Sequence, residues 1–180
     1  MTALESGAAL APAPTNFDEA AEYIWNNSFD KPTLVVSRER VGVQYDALNA
    51  GLGDAHIHYA VKANPAPEII RLLVERGSGF DAASRQEIEL CLSQGADPKN
   101  ISFGNTIKRG VDIAFAHSIG VTLFAADCEA ELDKIATNAP GARVYIRLIV
   151  ENSLADWPLT RKFGCADTLL PSLLDYAKSL

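Results

Sequence analysis

A chain of 180 residues, 48% apolar and 22% charged, is long enough for one domain with a real core. Its net charge of −7 argues against a nucleic-acid or anionic-membrane surface, because neither attracts an acidic protein. Three cysteines, Cys91, Cys128 and Cys165, make neither a CxxC pair nor an even disulfide set, which fits a reducing cytoplasm.

The opening MTALESGAALAPAPT carries no Lys or Arg, so it lacks the charged start of a signal peptide. Residues 1–16 read as a flexible tail. NFDEAAEYIWNN (16–27) reads as a short helix capped by Asn16 or Asp18. PTLVVS (32–37) is short and β-branched and reads as a strand. Arg38 to Ala50 has helical spacing, with Val41, Tyr45 and Leu48 apolar. A domain boundary falls at 55/56, where a strand–helix rhythm sets in.

That rhythm runs in order. IHYAVKAN is a strand and PAPEIIRLLVERG a helix, with Pro67 in its first turn and Gly77 as its stop. SGFDAAS is a strand, and Ser84 caps RQEIELCLSQG, with Glu87 at capping-box spacing. NISFGN, VTLFAAD and ARVYIRLIV are strands, alternating with helices around KRGVDIAFAHSIG and CEAELDKIATNA. DTLLPSLLDYAKSL is helical, either broken early by Pro171 or starting there. Alternation of this kind means parallel strands with crossover helices. An open doubly wound sheet and a (β/α)8 barrel both fit it, with about five βα units counted.

No GxGxxG follows a strand, and neither a GxxxxGK[ST] loop nor a GxSxG elbow occurs. His56 and His58 share a strand face at a spacing a metal could use, but two ordinary strand-end residues is the commoner reading, and no metal site is assigned. His117 falls near a helix C-terminus. Lys62 stands where an apolar strand meets Asn64-Pro65-Ala66-Pro67. By pattern alone the commoner reading is a lysine snorkelling to water or pairing with an acid. The sharper one is an amine held in an enclosed apolar mouth, freed by desolvation for Schiff-base chemistry. Asp81, Asn105 and Asp127 lie at other strand ends, where each also serves as a cap or turn residue. Arg147, inside VYIRLIV, needs a partner or a polar cavity.

YAVKANP, GSGFDAASRQEIE, ISFGNTIK, LFAADCEAELDKIA and IRLIVENSLADWPLTRKFG occur in that order. Together they resemble the fold-type III pyridoxal-phosphate decarboxylases of ornithine, lysine, arginine and diaminopimelate. FDAASRQEIE and ADWPLTRKFG look specifically like bacterial ornithine decarboxylases. The resemblance implies a (β/α)8 barrel, of which this chain holds a partial, five-unit stretch at 56–180. It implies that segment 17–55 carries a strand, TLVVS, of a β domain absent here. It implies pyridoxal 5'-phosphate as cofactor, bound by Lys62 as an internal aldimine, with Asp81, Arg147 and Glu87 around it. Glu87 also explains itself as a helix-capping acid. The implied reaction is decarboxylation of a basic amino acid, L-ornithine to putrescine and CO2. The implied assembly is a cytoplasmic homodimer with Lys162 at its interface, and no nucleic acid or membrane partner.

The family's later HVGS histidine segment, Gly-rich phosphate loop and EPGR segment do not occur. The chain therefore reads as an N-terminal fragment or half of a split enzyme, expected to be inactive alone. Two alternatives stay open. One is a non-catalytic relative that associates with a full-length decarboxylase, which retention of Lys62 weighs against. The other is a pyridoxal-phosphate carrier or racemase sharing YAVKAN, which ADWPLTRKFG weighs against.

Overall fold

A computed structural model describes residues 18–150 and 162–180. The tail expected over 1–16 and the segment 151–161, which holds most of ADWPLTRKFG, lie outside the described residues. The chain divides into two compact units, Met1–Ser37 and Arg38–Leu180. The first carries α1 (Asp18–Asn26), where a helix was expected. The strand expected over 32–37 is not formed. A strand exists through ladder bonds to a neighbour. The strand ladders among the described residues do not include this segment, and Leu34 stays 85% exposed.

The second unit begins with α2 (Arg38–Leu52), earlier than the 55/56 boundary read from sequence. The reason is Tyr45, which joins the same hydrophobic core as the strands and helices later in the chain. From there the chain alternates β1 (His58–Ala60), α3 (Pro67–Glu75), β2 (Gly79–Ala82), α4 (Arg85–Ser93), β3 (Ile101–Phe103) and α5 (Gly110–Ser118). It continues with β4 (Leu123–Ala126), α6 (Glu129–Asn138), β5 (Arg143–Ile146) and α7 (Leu170–Ser179). Pro171 sits in the first turn of α7, where its missing N–H is harmless, so the proline opens this helix. Among the described residues no helix is long and apolar enough to cross a membrane.

All neighbouring strands are parallel and lie in chain order, β1-β2-β3-β4-β5. A doubly wound sheet reverses its order at a switch point. A sheet that always adds its next strand on the same side is the start of a (β/α)8 barrel. Strand order thus decides between two architectures that letter patterns left equal.

One face of the sheet is the core. Phe80, Ala82, Ile101, Phe103, Phe124 and Ala126 are all buried there. They cluster with Ile70 and Leu73 of α3, Ile88 of α4, Ile113 of α5 and Leu132 and Ile135 of α6. Each fully buried large side chain contributes about 1.5–3 kcal/mol, which fixes the strands against their helices. The opposite face carries Ala60, Asp81, Ser102 and Leu123 side by side in register. In a flat sheet β2 and β5 would lie about 14 Å apart. Yet the Tyr145 hydroxyl on β5 reaches Asp81 on β2. The sheet curls toward this face, as a barrel wall must.

Candidate active site

Lys62 follows β1 directly. β1 ends at Ala60, and Val61–Ala63 form one turn of 3-10 helix. Asn64 ends that turn with its side-chain oxygen accepting from the Ala66 N–H at 3.1 Å. The Tyr59 hydroxyl donates to the Asn64 carbonyl at 3.4 Å, tying the turn back to β1. Burial of Tyr59 pushes its phenol above the ordinary value. Val61 is fully buried and anchors the turn, while the neighbouring Lys62 is exposed. Its amine makes no hydrogen bond or ion pair among the described residues. The enclosed apolar mouth expected from sequence is not built by them.

Asp81 lies within β2, beside its register partner Ser102 on β3. The buried Ser102 hydroxyl donates to Asp81 Oδ1 at 2.7 Å, and the Tyr145 hydroxyl donates to the same oxygen at 3.3 Å. Gly104 leaves the room this carboxylate fills: a Cβ there would collide with it. Arg147 is not inside an apolar strand. β5 ends at Ile146 and is half-exposed, so Arg147 stands in the open just past its carboxyl end. Its guanidinium carbon lies 5.6 Å from the centre of the Phe163 ring, a cation–π contact. Asp127, just past β4, accepts from the Gly164 N–H at 2.9 Å and pins the same KFG turn. The turn reading of Asp127 therefore accounts for its contact.

Glu87 does not join Asp81. Its carboxylate accepts from the Ala83 N–H at 2.6 Å, while its own N–H bonds the Ser84 hydroxyl at 3.2 Å. This is a capping box shifted by one residue. Asn105 makes a local turn, its side-chain oxygen accepting from the Ile107 N–H. His58 Nδ1 lies 3.4 Å from the Phe80 carbonyl at the amino end of the sheet, away from Lys62. Lys162 is exposed. Cys91 is buried, and burial, aided by the Glu87 charge, pushes its thiol up to about 12, which makes it a poor nucleophile.

Sequence reading missed the buried lysine. It is Lys108, 4% exposed, whose amine lies 2.8 Å from Glu131. The same amine donates to the carbonyls of Asn105 at 2.8 Å and Ala125 at 2.6 Å. Lys134 closes the cluster 2.5 Å from the other Glu131 oxygen. Burial holds the Lys108 amine below its ordinary value, with Glu131 opposing. No local spacing signals this pair, because its members sit on either side of β4.

Lys62, Asp81 and Arg147 thus gather at the carboxyl ends of parallel strands, where (β/α)8 enzymes place their chemistry. The fold and this end of it define a barrel-wall domain with a lysine amine, unpartnered among the described residues, at the carboxyl end of its strands. Residues 38–180 match the family described as pyridoxal-dependent decarboxylase, pyridoxal binding domain, and the chain belongs to that family. It is 38% identical over 133 residues to the lysine/ornithine decarboxylase of Selenomonas ruminantium, covering 74% of this chain and 34% of that protein. It is 37% identical over 122 residues to antizyme inhibitor 2 of Xenopus laevis, covering 68% of this chain and 27% of that protein. A crystal structure of lysine decarboxylase from Selenomonas ruminantium superposes with a TM-score of 0.76 at 36% identity, over 84% of this chain and 40% of that one. The chain therefore spans roughly a third of the curated relatives it matches, 34% and 27% of these two.

The residues present fit a pyridoxal group in their chemistry. There is an unpartnered primary amine, a carboxylate whose Oδ2 has no protein donor among the described residues, and a cation at the same end.

Proposed function

We propose that this domain is the cofactor-binding part of a pyridoxal-phosphate-dependent carboxy-lyase acting on a basic amino acid, with L-ornithine converted to putrescine and CO2. The observation that carries the reading is Lys62: an exposed amine, unpaired among the described residues, on the turn at the carboxyl end of β1, within a pyridoxal binding domain. Lys62 Nζ is the atom assigned to hold the cofactor's aldehyde carbon. The bound cofactor supplies an electron sink that lets a carboxylate leave as CO2. Asp81 orients it through a carboxylate fixed at Oδ1. Arg147 supplies positive charge at the same end, steadied by Phe163. The basic substrate class is supported by the lysine/ornithine decarboxylase relative. A cytoplasmic homodimer with Lys162 at its interface completes the proposal.

A second reading has its own support in the likeness to antizyme inhibitor 2: a non-catalytic chain that associates with a full-length decarboxylase. Cofactor uptake separates the two. The chain is mixed with pyridoxal phosphate, reduced with borohydride, digested and mapped by mass. The expected result is a pyridoxyl group concentrated on the Lys62 peptide and absent from Lys62→Ala. Label spread evenly over the exposed lysines would overturn the first reading and favour the second.

A further inference from the structure

We propose that Tyr145 and Ser102 are positioning residues that commit Asp81 Oδ1 and so leave Oδ2 as the oxygen presented to the cofactor. The inference rests on the assignment of Asp81 to the pyridoxal site.

The two donors come from different parts of the wall. Ser102 is the register partner of Asp81 on the next strand and is only 4% exposed, so the direction of its hydroxyl is set by packing. Besides Asp81 Oδ1 at 2.7 Å the hydroxyl lies 3.4 Å from the Phe80 carbonyl, which holds it in the plane between the strands. Tyr145 arrives from β5, across β3 and β4, and lands on the same oxygen at 3.3 Å. A carboxylate free at both oxygens rotates about its last bond. One pinned at Oδ1 by two hydroxyls has a single orientation. Gly104 completes the arrangement by leaving the carboxylate its space.

Tyr145 does this only while it keeps its proton. Tyr145 is 37% exposed, yet the desolvation of its sheet-facing part, and after it the negative charge of Asp81, push its phenol up to about 12. The donor is therefore protonated at every pH at which the amine of a lysine is useful. Arg147, two positions further along the same segment, pulls the other way on this phenol, so it lies within electrostatic reach of Tyr145. Neither hydroxyl belongs to the residue types that sequence reading searches for in a cofactor site, and each has an ordinary explanation as a strand residue until the shared acceptor is seen.

The test uses the full chain and two readouts. The first is the pyridoxal phosphate concentration that half-saturates borohydride-trapped label on Lys62. Tyr145→Phe and Ser102→Ala should each raise it about five-fold, the scale of one ordinary hydrogen bond lost. Ser102→Thr should restore the wild-type value by returning the hydroxyl. In an Asp81→Asn background Tyr145→Phe should add nothing, whereas a merely structural effect would persist there. Far-UV circular dichroism checks that each variant is folded. The second readout needs no cofactor: the Tyr145 phenol, assigned by its loss in Tyr145→Phe, is titrated by carbon NMR. Its midpoint should fall in Asp81→Asn. A midpoint in Asp81→Asn equal to that measured in the wild type would overturn the contact with Asp81. Wild-type label on Lys62 with unchanged half-saturation in Tyr145→Phe and Ser102→Ala would overturn the positioning role alone. Absence of selective label in the wild type would overturn the site assignment, and the positioning role with it.

Discussion

Lys62 and Lys108 show how surroundings divide the work of one residue type. Beyond Phe103, β3 leaves the sheet, and the Ala125 carbonyl on β4 loses the strand partner it would have had. Lys108 supplies the donor instead, at 2.6 Å, and Glu131 balances its charge. Breaking such a buried pair from one side is costly, because the remaining charge and carbonyl are left without water. Lys108→Met should destabilise the chain by about 3 kcal/mol. Lys62→Met, which removes an exposed amine unpaired among the described residues, should stay within about 0.5 kcal/mol. Urea unfolding of the two variants decides this, and equal losses would mean that Lys108 is no structural brace. The pH dependence has a definite sign. Burial lowers the folded value of Lys108 below the ordinary 10.5, so between the two the unfolded chain binds more protons. The Lys108 contribution is then most favourable above 10.5 and is lost as pH falls through the lowered folded value. The stability gap between wild type and Lys108→Met should widen toward alkaline pH.

At the scale of elements, α4 shows a motif that carries fold rather than chemistry. Ser84 and Glu87 together satisfy the backbone at the start of α4, and Glu87 spends its carboxylate on Ala83. Ser84→Ala and Glu87→Ala should each cost about 1 kcal/mol in urea unfolding. The double variant should cost less than their sum, since one box is lost either way. If Glu87→Ala kept full stability yet lost Lys62 label, its role would lie in the site instead. This cap was legible because capping is local, and so was the stop at Gly77, which adopts the left-handed φ value +78°. The βα rhythm was legible for the same reason. What failed was whatever depends on a distant neighbour. TLVVS has strand letters, but strand formation is a property of a pair. Arg147 looked trapped because β5 was drawn too long, and only pairing showed where it ends. The Lys108–Glu131 pair and the shared grip on Asp81 Oδ1 join residues from separate elements, so no spacing rule points to them.

For the whole molecule, the compact unit and the family match begin at the same residue, Arg38. Within this unit, among the described residues, the hydrophobic core starts at Val41, which packs against it from α2. The contacts given among the described residues for Lys62, Asp81 and Arg147 are likewise drawn from this unit: the turn after β1, the parallel sheet with Ser102 and Tyr145, and the Phe163 ring. By contrast, α1 and the segment after it leave Trp25 89% and Leu34 85% exposed. Apolar side chains in that state lend little to the folded form, since burial is what makes them stabilising. A chain starting at Arg38 should therefore unfold in urea as one transition, with stability within about 1 kcal/mol of the full chain. It should also trap pyridoxal phosphate on Lys62 to the same extent. A loss of cooperativity, or of several kcal/mol, would mean that the first 37 residues help hold the barrel wall together. Retention of both properties would establish Arg38–Leu180 as the unit in which fold and cofactor chemistry are jointly encoded.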